Sequence, residues 1–324
     1  MAPTMKAIVI HHPGGPETLR IEHIPIPTPR IGQVLIRVKA FGLNRSEVFT
    51  RKGHSPGVRF PRVLGIEAAG IVVSAPGGEF PGGTVVLTAM GGMGRAFDGG
   101  YAEYTLVPAV QVQAITTEPL PSWEVLGAMP EMLQTAWGSL FKSLRLQPAD
   151  RLLIRGGTTS IGLAAAVIAK SHGAFVAATS RRSDRERLLR DNGADETFVD
   201  DGMLSKKVRD PFDKVLELIG TETLQDSLHC AKEGGLVCMT GIVGNRWTLE
   251  NVNPMEYIPT AVNLTTYSGG YEDFMRAPLN EMAKKITTSE LHVQIGRVFK
   301  MDEIVEAHQT MEENKADGKI VMLT

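Results

Sequence analysis

The sequence predicts an α/β protein with a doubly wound parallel sheet and a second, β-rich domain, and three observations carry that prediction. The chain up to about Trp123 alternates short apolar runs with Gly/Pro turns. Beyond it, strand-like and helix-like stretches alternate. Within that part, "LLIRGGTTSIGLAAA" (Leu152 to Ala166) reads as a strand, a tight glycine turn and a helix start. At 324 residues the chain exceeds what one small core organises, which points to two domains. Hydrophobic residues make up 43%, and 34 basic residues balance 36 acidic ones. That profile fits a soluble globular protein rather than a disordered or nucleic-acid-binding one. The N-terminus "MAPTMKAIVIHHPGG" lacks a signal peptide's apolar core, and no apolar run reaches the length of a bilayer span. With two cysteines, Cys230 and Cys238, free buried thiols in a reducing compartment are expected, and the chain reads as cytoplasmic.

Element by element, "KAIVI", "QVLIRVKAFGL", "EAAGIVVSA", "GTVVLTA" and "YAEYTLV" predict short strands of a barrel or sandwich. The proline-rich "IPIPTPRIG" cannot fill a central strand and belongs to an edge or a connection. "SWEVLGAMPEMLQTAWGSLFKSL" then carries a helical period. Strand-like "RLLIR", "FVAATS" and "ETFVD" alternate with helix-like "GLAAAVIAKSHG" and "SDRERLLRDNG", which gives βαβ units. "DKVLELI" and "GLVCMTG" add two strands. In "MDEIVEAHQTMEEN", Ile304, Ala307, His308 and Met311 share one helical face, and "GKIVMLT" closes the chain as a strand.

The glycine turn has Gly156, Gly157 and Gly162 around two threonines and a serine. Following a buried strand and opening a helix, it has the context of a dinucleotide-binding turn, whose free N–H groups face an anion. Gly157, Thr158, Thr159, Ser160 and Ile161 are the candidate phosphate cradle, with the Thr159 and Ser160 hydroxyls as further donors in place of the missing middle glycine. The next strand ends in Ser180, Arg181 and Arg182, where an NAD site carries an acidic residue for the ribose 2′-hydroxyl. Serine and arginines suit the 2′-phosphate of NADPH. A hydrogen bond to a charged group contributes on the order of 1.5–3 kcal/mol, enough for about a tenfold preference. The alternative is that the arginines solvate a helix start, with Asp184 close enough to pair with one.

The order of parts resembles the medium-chain dehydrogenase/reductase superfamily along nearly the whole chain. The resemblance is carried by "MKAIVIHHPGGPETLRIEHIPIPTPRIGQVLIRVKAFGLNRSEVFTRKG", "FPRVLGIEAAGIV", "GGYAEYTLVP", "RGGTTSIGLAAAVIAKSHGA", "GADETF" and "GKIVMLT", which is similar to its quinone oxidoreductase-like branch. It implies a GroES-like β-barrel catalytic domain beginning over residues 1–124, a Rossmann NADP-binding domain over 125–265, and a return segment, 266–324, completing the first. Zinc-dependent members place a cysteine after "KAFG" and a histidine in a "GHE"-like motif; here those positions are Asn44 and Ile66, with Glu67 remaining. Catalytic zinc needs three protein ligands, so the zinc-independent branch is implied and no metal is expected.

For that branch the implied reaction passes a hydride from NADPH to a conjugated acceptor, a quinone or an α,β-unsaturated carbonyl. Asn44 matches the asparagine beside the nicotinamide, whose amide can donate to the acceptor oxygen; otherwise it caps a following helical turn. Glu47 matches an acidic position of the same motif, or pairs with Arg51. Thr135 matches a position near the nicotinamide, or only packs. Gly241, Ile242 and Val243, after the fifth strand of the Rossmann half, and Ser268, at the crossing back, are further cofactor contacts. Enoyl reductases of the superfamily often carry a tyrosine where this chain reads "RKGHS", which favours a quinone over an enone. A nucleotide-binding protein without turnover is a third reading. The resemblance also implies a homodimer formed through Rossmann edge strands, with neither nucleic acid nor membrane as partner.

Overall fold

The structure, a computed structural model, describes residues 3–324. Two compact units divide the chain: residues up to Gln134 with Gly269–Ser289 and Ile295–Thr324, and Thr135–Ser268 with Glu290–Gln294. Strands β1 (Thr4–Ile10), β2 (Arg20–Pro25), β3 (Gln33–Gly42) and β4 (Arg62–Val63) open the chain. β5 (Glu67–Ser74), β6 (Val85–Ala89), β7 (Tyr104–Pro108) and β8 (Val112–Ala114) follow in the same unit. The second unit contains β9 (Arg151–Arg155), β10 (Phe175–Ser180), β11 (Glu196–Val199), β12 (Phe212–Glu217), β13 (Ala231–Met239) and β14 (Asn263–Thr266). β15 (Ile295–Lys300) and β16 (Lys319–Leu323) return to the first unit.

In the first unit, seven strands run in the order β15-β16-β3-β5-β6-β8 with β7 also on β3, and β2-β1-β4 form a small sheet beside them. β16 joins β3 antiparallel, pairing Val321 with Gly42 and Leu323 with Ala40, so the last strand completes a sheet begun by the first forty residues. One core is shared by both ends of the chain: Ile8, Ile36, Phe41, Tyr101, Ile304 and Met322 pack in it. Met93, in a glycine-rich loop, is 1% exposed and belongs to this core. The helix Ile304–Glu312 turns Ile304, Ala307 and His308 inward, as its apolar period predicts.

The second unit is a six-stranded, wholly parallel sheet in the order β11-β10-β9-β12-β13-β14. Leu152, Leu153 and Ile154 of β9 and Val176, Ala177 and Ala178 of β10 are fully buried, the continuous apolar runs that strands covered on both faces require. The order reverses between β9 and β12. The crevice at the carboxyl ends of these two strands is where open parallel sheets of this kind bind ligands. The helix Pro130–Trp137 passes into a π-helical turn, Gly138–Ser143. Gly138 is required there because a Cβ would lie 2.1 Å from the Tyr267 hydroxyl oxygen.

His308, in the core of the first unit, has a charge state that depends on the fold. It is fully buried, and its Nε2 lies 3.2 Å from the Tyr101 hydroxyl, whose ring stacks on Phe41. Burial, with the nearby Arg51 charge, pushes its pKa down to about 3 from 6.5. The folded protein therefore keeps His308 neutral while the unfolded chain takes up a proton below pH 6.5, so stability is lost as pH falls from 6.5 toward 3. Denaturant unfolding of wild type against His308→Leu checks this: the wild type loses about 2 kcal/mol more than the variant between pH 7 and pH 5. Parallel pH curves would contradict it.

Candidate functional site

In the first unit, β3 ends at Gly42 and the chain is held against β16 by the Leu43 N–H donating to the Ile320 carbonyl (3.0 Å). Asn44 then sits at the N-cap of the helix Arg45–Arg51 in an extended conformation. Glu47 folds back: its Oε2 accepts the Asn44 N–H (3.0 Å) and its Oε1 accepts the N–H of Ile66 (3.0 Å). Glu67 is fully buried at the start of β5. Its Oε1 accepts from Asn44 Nδ2 (2.8 Å) and Lys319 Nζ (2.8 Å), and its Oε2 accepts the Glu131 N–H (2.7 Å). Lys319 also donates to Asn44 Oδ1 (2.6 Å). An ammonium only donates and an ionised carboxylate only accepts, so these partners fix which end of the Asn44 amide is oxygen and which is nitrogen.

Asn44 thus lies at an N-cap where Glu47 closes a capping box onto its N–H, while its side chain is bonded by Glu67 and Lys319. Glu47 does not pair with Arg51, whose guanidinium goes to Glu312 instead. Burial raises the Glu47 pKa to about 7, and the neighbouring Glu67 charge pushes the same way, against the Ile66 N–H. Burial alone would lower the Lys319 pKa, yet the Glu67 and Glu131 carboxylates raise it, so the ammonium is kept. Lys319 and Glu131 are the members of this cluster that reading the sequence misses. A lysine opening an apolar strand looks like a solvated strand end, and only its pairing across the sheet shows otherwise.

In the second unit, the glycine turn has a steric reason at each glycine. Gly156 has φ +83°, which favours glycine. A Cβ on Gly157 would lie 2.9 Å from the Ala178 Cβ, and one on Gly162 would lie 2.7 Å from the Gly156 carbonyl oxygen. Thr159 is the N-cap of the helix Ser160–Ser171: its hydroxyl donates to the Gly156 carbonyl (2.9 Å) and accepts the Gly162 N–H (3.0 Å). In this structure the Gly156 carbonyl engages that O–H, whereas the sequence offers it to a phosphate oxygen. The first-turn N–H groups of Ser160 and Ile161 have no carbonyl of their own helix to bond, and Thr158 is part of the same half-buried turn.

At the end of β10, the Ser180 hydroxyl accepts the Arg182 N–H (3.1 Å). Arg182 clasps Asp184 through Nε (2.9 Å), the pairing weighed above as the alternative. Arg181 is exposed and makes no ion pair among the described residues. Gly241, Ile242 and Val243 form a half-buried turn after β13; a Cβ on Gly241 would lie 2.4 Å from the Leu218 carbonyl oxygen. Thr135 is half-buried, and its carbonyl accepts the Ser139 hydroxyl (2.7 Å), which lies 2.9 Å from the hydroxyl of Thr240. The fold therefore links Thr135 to the turn that begins at Gly241. Ser268 is exposed, two residues after β14. Among the described residues no group of three or more His, Cys, Asp or Glu could hold a metal ion, and no helix is long and apolar enough to cross a membrane.

Residues 30–117 match a family model described as an alcohol dehydrogenase GroES-like domain, and residues 186–322 one described as a zinc-binding dehydrogenase. The chain is 28% identical over 335 residues to the quinone oxidoreductase of Homo sapiens, covering 98% of each. Among solved structures it is similar to a mycobacterial protein complexed with NADPH, at 25% identity and a TM-score of 0.85 over 99% of this chain and 100% of that one. It is also similar to an NAD-dependent alcohol dehydrogenase, at 27% identity and a TM-score of 0.87 over 99% and 100%.

The raised pKa of Glu47 has a signature in stability. Because the folded pKa, about 7, lies above the ordinary 4.5, the fold holds a proton that the unfolded chain has already lost. Stability is therefore given up as pH rises from 4.5 through 7. Relative to Glu47→Gln, the wild type loses about 2 kcal/mol between pH 5 and pH 8, as read by denaturant unfolding at both. A difference independent of pH would contradict it.

Proposed function

The chain belongs to the medium-chain dehydrogenase/reductase family, and from that premise we propose that it uses NADPH to reduce a quinone, with no metal in the site. The observation that carries the metal-free reading is the donor set around Glu67. Where zinc-dependent members supply cysteine and histidine, this chain has Asn44 and Ile66, and an ammonium, Lys319, takes up Glu67. One carboxylate and one amide do not make the three-ligand set zinc requires.

The residues present suit NADPH. A turn without room for side chains at Gly157 and Gly162, opening a twelve-residue helix, suits a pyrophosphate. Ser180 and the unpaired Arg181 suit a 2′-phosphate, and Gly241 to Val243, with Ser268, suit the nicotinamide end. When bound, NADPH supplies the hydride. The chain's own residues bind and orient. Asn44 would donate from Nδ2 to the acceptor oxygen as charge develops on it, Glu47 holds the Asn44 and Ile66 N–H groups, and Thr135 would border the nicotinamide. A hydroquinone oxygen takes its proton from water. The alternative, reduction of an α,β-unsaturated carbonyl, gains support from Glu47, which keeps a proton near neutral pH.

The same reading makes the protein a cytoplasmic homodimer. β14 is the outer strand of its sheet, with Leu264 37% exposed, and an unpaired edge favours a second copy. Light scattering of Leu264→Lys against wild type checks this: the wild type runs as a dimer, and the variant is already monomeric at concentrations where the wild type stays dimeric. A monomeric wild type contradicts it.

Titration with NADPH and NADH, followed by nicotinamide fluorescence, tests the cofactor. Arg181→Ala weakens NADPH about tenfold and leaves NADH unchanged, while Arg182→Ala, whose guanidinium Asp184 already engages, does less. Equal binding of NADH by the wild type would sink the NADPH assignment. Turnover of 1,4-benzoquinone and 9,10-phenanthrenequinone but not 2-enals supports the quinone, and the reverse supports the enone. Tight NADPH binding with neither turned over would leave a nucleotide-binding protein.

A further inference from the structure

We propose that Lys319 is a positioning residue for Asn44, holding and polarising its amide so that one N–H remains for the acceptor oxygen. The inference rests on the reading of Asn44 given above. Lys319 is 1% exposed and Asn44 9% exposed, so the ammonium acts from behind the amide rather than on a bound molecule.

Its contacts specify the arrangement. Nζ lies 2.6 Å from Asn44 Oδ1 and 2.8 Å from Glu67 Oε1, while Glu67 Oε1 lies 2.8 Å from Asn44 Nδ2. The three groups close a ring in which the amide oxygen faces a cation and one amide N–H faces an anion. A flipped amide would set its NH2 against the ammonium and its oxygen against the carboxylate, so only one orientation survives. Drawing electron density toward Oδ1 makes the N–H groups better donors, as linked hydrogen bonds strengthen one another. The second N–H meets Glu47 Oε1 at 3.4 Å, longer than a well-formed bond, and it is the one left open to an acceptor without moving the amide.

The backbone is shaped for this ring. Gly42 has no positive φ to explain it, yet a Cβ there would lie 2.4 Å from Lys319 Cε and 2.4 Å from Glu67 Oε1. The glycine of "AFGLN" leaves the space that the lysine and the glutamate occupy. Val321 pairs with Gly42 in the sheet, which fixes Lys319 two residues before the crossing point.

A double-mutant cycle tests the proposal, with NADPH and 9,10-phenanthrenequinone as the assay. Asn44→Ala alone tests the underlying reading: an unchanged kcat/KM removes Asn44 from the chemistry and the proposal with it. Given a loss there, Lys319→Met lowers kcat about tenfold or more in the wild type, with NADPH binding unchanged, and adds no further loss in the Asn44→Ala background. Equal losses in both backgrounds would overturn the proposal while leaving Asn44 in place. Gly42→Ala guards against a variant that does not fold, since it keeps every charge and displaces only the ring; it lowers kcat in the same direction, and full activity there would overturn the proposal. A crystal structure of Lys319→Met reads the positioning directly: the Asn44 amide leaves its contact with Glu67, and an unmoved amide counts against the role.

Discussion

The ion pair between Lys319 and Glu67 is the contact on which the arrangement of the β-rich unit depends. Both side chains are essentially without solvent contact, and two charges taken out of water attract enough to offset that loss only when their remaining protons and lone pairs are satisfied. Here they are. Glu67 accepts from Lys319, from the Asn44 amide and from the Glu131 backbone, while Lys319 also meets Asn44 and stands 3.7 Å from the Glu131 carboxylate. The partners come from the start of β5, the start of β16, the loop after β3 and the first turn of the helix Pro130–Trp137. Segments remote in sequence are thereby held to a common point, and removing one partner would strand a charge at a cost of about 3–5 kcal/mol.

A second buried charge organises the parallel sheet. Arg155, the last residue of β9, is fully buried and bonds both oxygens of Asp200 at 2.7 Å, and also Asp226 at 2.7 Å. Glu217, the last residue of β12, turns its Oε1 to the N–H groups of Ile219 and Gly220. Glu217 thereby sets the path of the turn that follows β12. The glycine turn begins one residue after Arg155, and its first N–H is held by the Thr179 hydroxyl (3.1 Å). Both units thus place buried charged side chains close to their candidate site residues in the chain.

Much of the fold can be read from periodicity. The strands of the parallel sheet from Arg151 to Met239 are apolar runs bounded by turn residues, and the face of the C-terminal helix that carries His308 follows the 3.6 period. Five strands escape it, β2, β4, β8, β14 and β15, and the last two show why. "NLTT" is a short edge strand with three of four residues exposed, and "IGRVFK" is half solvent-facing, so neither shows an apolar run. At the site, Asn44, Glu47 and Glu67 stand out by their place in a motif, but Lys319 does not, because its burial depends on a partner some 250 residues away in the chain. Thr159 stands out in the sequence only as a hydroxyl beside the turn; that it caps the helix by accepting the Gly162 N–H is visible only in the geometry. The methionine at 93 looks the same in sequence whether it fills a core or lines an opening; packing decides for the core.

The central claim is that a fixed amide, supported by an ammonium, stands where relatives use a metal. The most direct measurement is NADPH oxidation by 9,10-phenanthrenequinone before and after exhaustive dialysis against a strong chelator, with metal content determined by mass spectrometry on the same samples. The account predicts an unchanged rate in protein carrying far less than one metal ion per chain. Turnover that disappears with the metal and returns on adding zinc would contradict it.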